Sequence, residues 1–155
     1  MRCTGATDRR HHVTAHLLVC GSRWPKGWPE DKVRRLTGYV FGALDLWLAP
    51  RSASEVVLVH GACEGSPDAL AALWAEHRGV RAEPFPVTAE EWRTIGPKAG
   101  PLRNERMAAF CATSSDVSVV AFYDGRSRGT LDMLARAEVR GWRPSVLRPE
   151  ILRAG

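Results

Sequence analysis

Three short segments of this chain combine glycines, hydroxyls and guanidinium groups in patterns that suit an anion. Gly21-Ser22-Arg23 directly follows an apolar run, HLLVC at 16–20. A glycine there permits a tight turn and close backbone approach. Ser22 adds a hydroxyl, and Arg23 can grip a phosphate through two parallel hydrogen bonds. Gly125-Arg126-Ser127-Arg128-Gly129-Thr130 joins a second apolar run to a helix-like one. The first N–H groups of a helix lack intrahelical partners and its dipole favours negative charge, so this junction suits phosphate. Ser127 and Thr130 offer hydroxyls there, and Arg126 and Arg128 offer charge. Gly100-Pro101-Leu102-Arg103-Asn104 puts an Arg and an Asn at the head of a helix-like stretch. Arg103 can hold phosphate, and Asn104 can bridge a ribose or a neighbouring loop. None of the three is a standard fingerprint. The 125–130 segment lacks the Gly-Lys-Ser/Thr ending of a Walker loop, and Gly21 begins no G-x-G-x-x-G.

Each segment also has a plain structural explanation: a strand-end turn with a surface Arg, a capped turn, a salt-bridged Arg beside a capping Asn. His60 and Asp68 flank another loop. A lone His after a strand is more often structural than catalytic, and Asp68 can simply complement a helix dipole. Trp24, Trp28 and Trp92 fall in loop-like segments and can stack on a base, although packing as a lid is the commoner role.

The elements that must position these residues alternate between strand and helix. HLLVC is a buried strand. After the Pro- and Gly-punctuated loop WPKGWPED, Pro29, Glu30 and Asp31 mark a helix start. Val33, Leu36, Val40, Leu44 and Trp47 then recur at helical spacing. EVVLVHG at 55–61 is a second strand. Ser66-Pro67-Asp68 predicts an N-cap with Pro at the first helical position. Leu70, Leu73, Trp74 and His77 define the expected face of that helix, and Gly79 its C-terminal cap. VRAEPFP is a third strand. A short helical turn is expected at 90–93, then a loop, then a helix from Arg103 to Ala112. DVSVVAFYDG at 116–125 is a fourth strand, followed by a helix from Gly129 to about Gly141 and a short fifth strand at 144–147. Near-continuous apolar strands separated by helices predict an α/β Rossmann-like three-layer sandwich with a mainly parallel sheet of about five strands. Residues 1–13 are expected to be a disordered tail, 14–150 a single domain, and 151–155 a C-terminal tail. Ligands of such sheets bind beyond the carboxyl ends of the strands, where strand order reverses.

Bulk properties agree with one domain. The chain has 155 residues, 45% of them hydrophobic and 25% charged. No apolar run approaches the ~20 residues that span a bilayer, and the start has no apolar stretch of the secretory kind; a cytoplasmic location and no membrane partner are expected. The four cysteines (Cys3, Cys20, Cys63 and Cys111) show no Cys-x-x-Cys pair. Reduced, packed thiols are expected, with Cys63 left open because it lies in a candidate loop, and no metal centre is expected. Net charge is +5, but residues 1–12 and 143–155 each contribute +2, leaving +1 for the body. That distribution counts against a nucleic-acid partner.

GSRW at 21–24, HGACEGSPDALAALWA at 60–75, W-x(3)-GPKAGPLRN at 92–104 with Met107, and VVAFYDGRSRGT at 119–130 resemble, in that order, the YspA/YpsA-related branch of the SLOG superfamily. The resemblance covers about residues 17–147. It implies a Rossmann-like fold and a nucleotide-related ligand, with Gly21, Ser22, Arg23, His60, Gly61, Asp68, Gly100, Arg103, Asn104, Ser127, Gly129 and Thr130 at the matching positions. Arg128 joins this set from its place in the loop. The wider superfamily includes the Lonely Guy phosphoribohydrolases and the DNA-processing protein A. The hydrolases carry Gly-Gly-x-Gly-Thr-x-x-Glu; here the final Glu position is Met133, with Asp132 one residue earlier. Ser66-Pro67 also stands where a Gly-Ala pair is usual. The expected function is therefore binding of a nucleotide-type ligand, with a sensor role in view and no further cofactor required. One alternative is a nucleoside-monophosphate N-glycosidic hydrolase using Asp132, Asp68 or Glu64; another is a nucleic-acid binding module. Relatives often pair through helices, so a homo-oligomer is left open.

Overall fold

The computed structural model describes residues 13–153. Apart from Val13, the expected tail at 1–13 lies outside the described residues, as does Cys3. Five strands, β1 (Ala15–Gly21), β2 (Val56–His60), β3 (Arg81–Pro84), β4 (Val117–Phe122) and β5 (Ser145–Leu147), form one parallel sheet in the order β3-β2-β1-β4-β5. The helices are α1 (Glu30–Leu48), α2 (Pro67–Arg78), α3 (Ala89–Ile95), α4 (Ala99–Cys111), α5 (Arg128–Val139) and α6 (Glu150–Arg153). The predicted α/β three-layer architecture is the one observed.

The central strand explains why its sequence is almost wholly apolar. Leu17, Leu18 and Val19 are all fully buried, with side chains alternating between two cores. On one face Leu17 and Val19 meet Leu36, Val40 and Leu44 of α1 and Trp74 of α2. On the other, Leu18 and Cys20 meet Met107 and Cys111 of α4 and Met133 and Leu134 of α5. Strand order reverses between β1 and β4, since β2 and β3 extend to one side of β1 and β4 and β5 to the other. The loops after β1 and β4 therefore diverge to opposite faces and leave a crevice between them.

Several local expectations need correction. The buried face of α2 runs through Leu70, Ala71, Trp74 and Ala75, while Leu73 and His77 are exposed. The alanines let the helix approach the sheet closely, and this rotates the expected face. The stretch 94–102 is not a loop: α3 is followed by a 3-10 turn (Gly96–Lys98), and α4 begins at Ala99. Gly100 and Pro101 are tolerated because the first N–H groups of a helix need no intrahelical acceptor. At the C-terminal end, Ile151 and Leu152 of α6 pack against the first core rather than trailing as a tail.

The Ser66 cap and the Gly79 terminus of α2 are as expected: Ser66 accepts from the Asp68 N–H, and Gly79 adopts φ 69°. Trp74 is fully buried, and its Nε1–H donates to Asp45 Oδ1 at 2.8 Å. Arg78 grips the same carboxylate through both oxygens at 2.8 and 2.9 Å. Trp74→Ala removes a large core side chain and one partner of Asp45, so we expect a loss of about 3–5 kcal/mol in unfolding free energy, measured by urea titration of the two proteins.

Candidate functional site

At the carboxyl end of β1, Gly21 sits where backbones converge: a Cβ there would lie 2.5 Å from Pro67 Cγ and 2.7 Å from the Phe122 carbonyl oxygen. Ser22 is buried. Its N–H donates to Phe122 O at 2.9 Å, and its Oγ accepts from the Asp124 N–H at 3.0 Å. Ser22, expected to touch ligand, is instead a strut between the loops after β1 and β4. Arg23 projects beyond it, and its Nη2 lies 3.6 Å from Cys63 Sγ.

The loop after β2 is clamped at one residue, Gly61. The Gly61 N–H donates to Asp68 Oδ2 at 3.0 Å, and the Gly61 carbonyl accepts from Arg103 Nη1 at 2.6 Å. A Cβ on Gly61 would press on both that nitrogen and that oxygen, so any side chain there must displace the two groups that clamp it. Ala62 follows with φ 54°, the one non-glycine positive φ among the described residues. Its N–H donates to Nδ1 of His60. This backbone costs an L-residue about 1–2 kcal/mol, and the surrounding bonds hold it in place. His60 is thus buried and structural; burial and then the Arg103 charge keep its pKa below the usual value, favouring the neutral ring.

The loop after β4 spends part of the anion-binding capacity expected of it. Asp124 Oδ1 accepts from the N–H groups of Arg126 (2.7 Å) and Ser127 (2.9 Å). Ser127 Oγ caps α5 by accepting from the Thr130 N–H and lies 3.1 Å from the Thr130 hydroxyl. Arg128 and Gly129 open α5, and no described hydrogen bond uses their N–H groups. Asn104 is buried and bridges helices: its Nδ2 donates to Asp132 Oδ2 at 2.9 Å and to Gly129 O at 3.3 Å, while its Oδ1 accepts from Arg103 Nε. Asn104 thus ties α4 to the start of α5.

These loops enclose a cavity of about 350 Å³. From the expected set it is lined by Gly21, Arg23, Asp68, Arg103, Asn104, Ser127, Gly129 and Thr130. Cys20, Cys63, Met107 and Asp124 complete the wall. A second chamber of about 270 Å³ shares Arg23, Cys63 and Arg103 with it and adds Gly61, Glu64, Trp92 and Gly100. A third, of about 130 Å³, is bounded by Arg23, Trp24, Trp28 and Arg126 among others. Ser22, His60, Arg128 and Asp132 line none of the three. Asp124 had a legible signal, because an Asp two and three residues before free amides is the usual acceptor of such a turn. Cys20 and Met107 had none, since inward strand and helix positions read only as core.

Two carboxylates on the cavity wall behave oppositely. Burial pushes Asp68 up to about 6, against the opposing pull of Arg103, the N–H groups of Cys63 and Gly61, and Arg23. Asp124 is partly buried, which raises its pKa, but the bonds from Arg126, Ser127 and Ser22 outweigh this and hold it below the usual value. Asp132, outside the cavity, is likewise lowered: partial burial is outweighed by hydrogen bonds from Arg136 and Asn104. Burial drives the Cys20 thiol well up, so it stays protonated. Cys20, Cys63 and Cys111 are all free thiols. Among the described residues no cluster of three or more His, Cys, Asp or Glu is placed to hold a metal ion, and no helix is long and apolar enough to cross a membrane.

No family model matches this chain, and no curated protein and no solved structure matches it either.

Because the folded state raises Asp68 from 3.8 to about 6, the folded protein binds a proton that the unfolded chain releases across that window. The Asp68 contribution to stability therefore falls as pH rises from about 4 to about 6 and stays at its lowest above that. We expect thermal melts to show Asp68→Asn gaining on the wild-type protein across this window, with a constant difference above about pH 7.

Proposed function

We propose that the chain binds a nucleotide-type ligand in the cavity at the switch point of the sheet, with the phosphate at the start of α5 and between Arg23 and Arg103. The observation that carries this reading is the convergence of two guanidinium groups and an unpaired helix start on one cavity. Arg23 and Arg103 come from separate loops, yet each approaches the same Cys63 sulfur at 3.6 Å. Opposite them lie Gly129 and Thr130 in the first turn of α5. Unused N–H groups, a helix dipole and guanidinium charge all favour a phosphate oxyanion. Taken together, the two adjoining chambers suit a small molecule of nucleotide size, since such sites span roughly 300–1,000 Å³. The ordered motifs at 21–24, 60–75, 92–104 and 119–130 support the same reading, and membership of the SLOG superfamily is part of this proposal, as is a role in sensing.

The hydrolase alternative keeps one observation in its favour: Asp68 lines the cavity with a pKa of about 6, suited to proton transfer near neutrality. Against it, Met133 is 1% exposed and packed in the core, and Asp132 is engaged by Arg136 and Asn104. Neither is free to offset positive charge on a ribose ring. Asp68 itself holds the Gly61 N–H, so its movement would loosen the loop it anchors.

A Cβ on Gly129 would meet no protein atom within 4 Å, although Gly129 lines the cavity. Gly129→Val should therefore fold normally and fill ligand space. We expect calorimetric titration with AMP, GMP, CMP and IMP to show binding to the wild-type protein and at least a tenfold loss in Gly129→Val. Arg23→Ala should lose roughly ten- to a hundredfold, as expected for one charge-assisted hydrogen bond. Unchanged affinities in folded variants would sink the proposal. Incubation with the same four nucleotides should release no free base. Turnover abolished by Asp68→Asn would instead favour the hydrolase.

A further inference from the structure

We propose that the second chamber is a nucleobase subsite in which Trp92 provides the stacking platform, so that the ligand is a base-bearing nucleoside phosphate rather than a sugar phosphate. This rests on the reading of the first cavity as the phosphate end. The two chambers share Arg23, Cys63 and Arg103, so a ligand held by these arginines lies at the boundary between them. Beyond that boundary the wall is mixed, with the Glu64 carboxylate among its polar groups. Pro86, Val87 and Trp92 supply apolar surface, and the Gly61–Ala62 backbone supplies peptide edges.

The three candidate tryptophans differ in what they already do. Trp24 and Trp28 stack on each other, with ring centroids 5.9 Å apart and planes 17° apart. Both pack against the first core, and Lys32 lies over Trp28. Their chamber is the smallest, at about 130 Å³, and is shared with Ile151 and Leu152. Trp92 stacks on no other ring among the described residues and is 49% exposed. An indole left half in water beside a cavity is a ready partner for a planar base.

Trp92 also stands on a braced helix. It sits in α3, whose start is fixed by the capping box of Thr88 and Glu91. Glu91 Oε1 in turn pairs with Arg106 Nη1 of α4 at 3.2 Å. The same α4 carries Arg103, so the stacking surface and the charged boundary belong to one braced unit. A base seated there loses little to ordering of the backbone, because the helix beneath the indole is already in position.

The test is calorimetric titration of the full chain and of Trp92→Ala and Trp92→Phe with AMP, GMP, CMP and IMP, and with ribose 5-phosphate. In the wild-type protein the tightest nucleotide should bind at least fivefold better than ribose 5-phosphate. Trp92→Ala should weaken that nucleotide by roughly five- to a hundredfold, the span of a base–aromatic stack. It should leave ribose 5-phosphate unchanged, and Trp92→Phe should restore most of the loss. If Trp92→Ala leaves nucleotide affinity intact, or weakens nucleotide and sugar phosphate equally, the subsite is refuted. Equal wild-type affinity for nucleotide and ribose 5-phosphate refutes the subsite alone and spares the phosphate reading. Failure of the wild-type protein to bind any of the five probes overturns the parent proposal, and this one with it.

Discussion

Gly61 is gripped through both of its backbone polar groups, its N–H by the Asp68 carboxylate and its carbonyl by the Arg103 guanidinium. Hydrogen bonds to charged groups contribute about 1.5–3 kcal/mol each, but their placement matters more here than their strength. Asp68 belongs to the first turn of α2 and Arg103 to α4, on opposite faces of the sheet. One residue just past β2 thus locks two helices that the sheet otherwise separates. Arg103 also reaches the Phe85 carbonyl beyond β3 at 3.4 Å, and its neighbour Asn104 carries the connection to α5 through Gly129 and Asp132. Ser22 ties the β1 and β4 loops in the same manner. The crevice at the switch point is therefore walled by cross-braced segments, and Ala62 can be kept in a left-handed backbone at its rim.

How much of this was legible in the sequence follows from what each segment had to satisfy. A strand buried on both faces must be nearly all apolar, so HLLVC and the runs before Gly61 and Asp124 declared themselves. The start of α2 was equally plain, because Ser66, Pro67 and Asp68 each answer a distinct need of a helix N-terminus. The start of α4 was not. Gly100 and Pro101 resemble loop residues, and only the tertiary setting reveals that the first turn can absorb both. The face of α2 was misjudged for a related reason: Ala71 and Ala75 carry little apolar weight in a periodicity argument, yet small residues are what a helix uses to approach a sheet closely.

The structure brings the loops singled out in the sequence to one cavity, but several of their polar residues are engaged in bonds within the chain. Ser22, His60 and Asn104 are polar residues at strand ends and helix starts, the positions where both ligand contacts and structural bonds concentrate. All three are buried and committed to other parts of the chain. Their types could not distinguish the two uses, because a hydroxyl, an imidazole or an amide serves either. Arg23 differs physically: it is exposed, and its one described bond is a long contact to sulfur, so its charge is available.

The placement of Asp124 constrains how the cavity can attract an anion. By taking the N–H groups of Arg126 and Ser127, this carboxylate already puts a negative charge at the mouth of α5. With Asp68 ionised as well, the two carboxylates on the wall formally cancel the two guanidinium groups. A net positive field is then weak, so the phosphate of the proposed ligand would depend on directed donors: the Arg23 and Arg103 guanidinium groups and the N–H groups of Arg128 and Gly129, which no described hydrogen bond uses. Raising the Asp68 pKa shifts this balance, because each protonated Asp68 leaves the guanidinium groups one charge ahead. A single buried carboxyl behind Gly61 thereby both braces the loop and tunes the charge on the cavity wall.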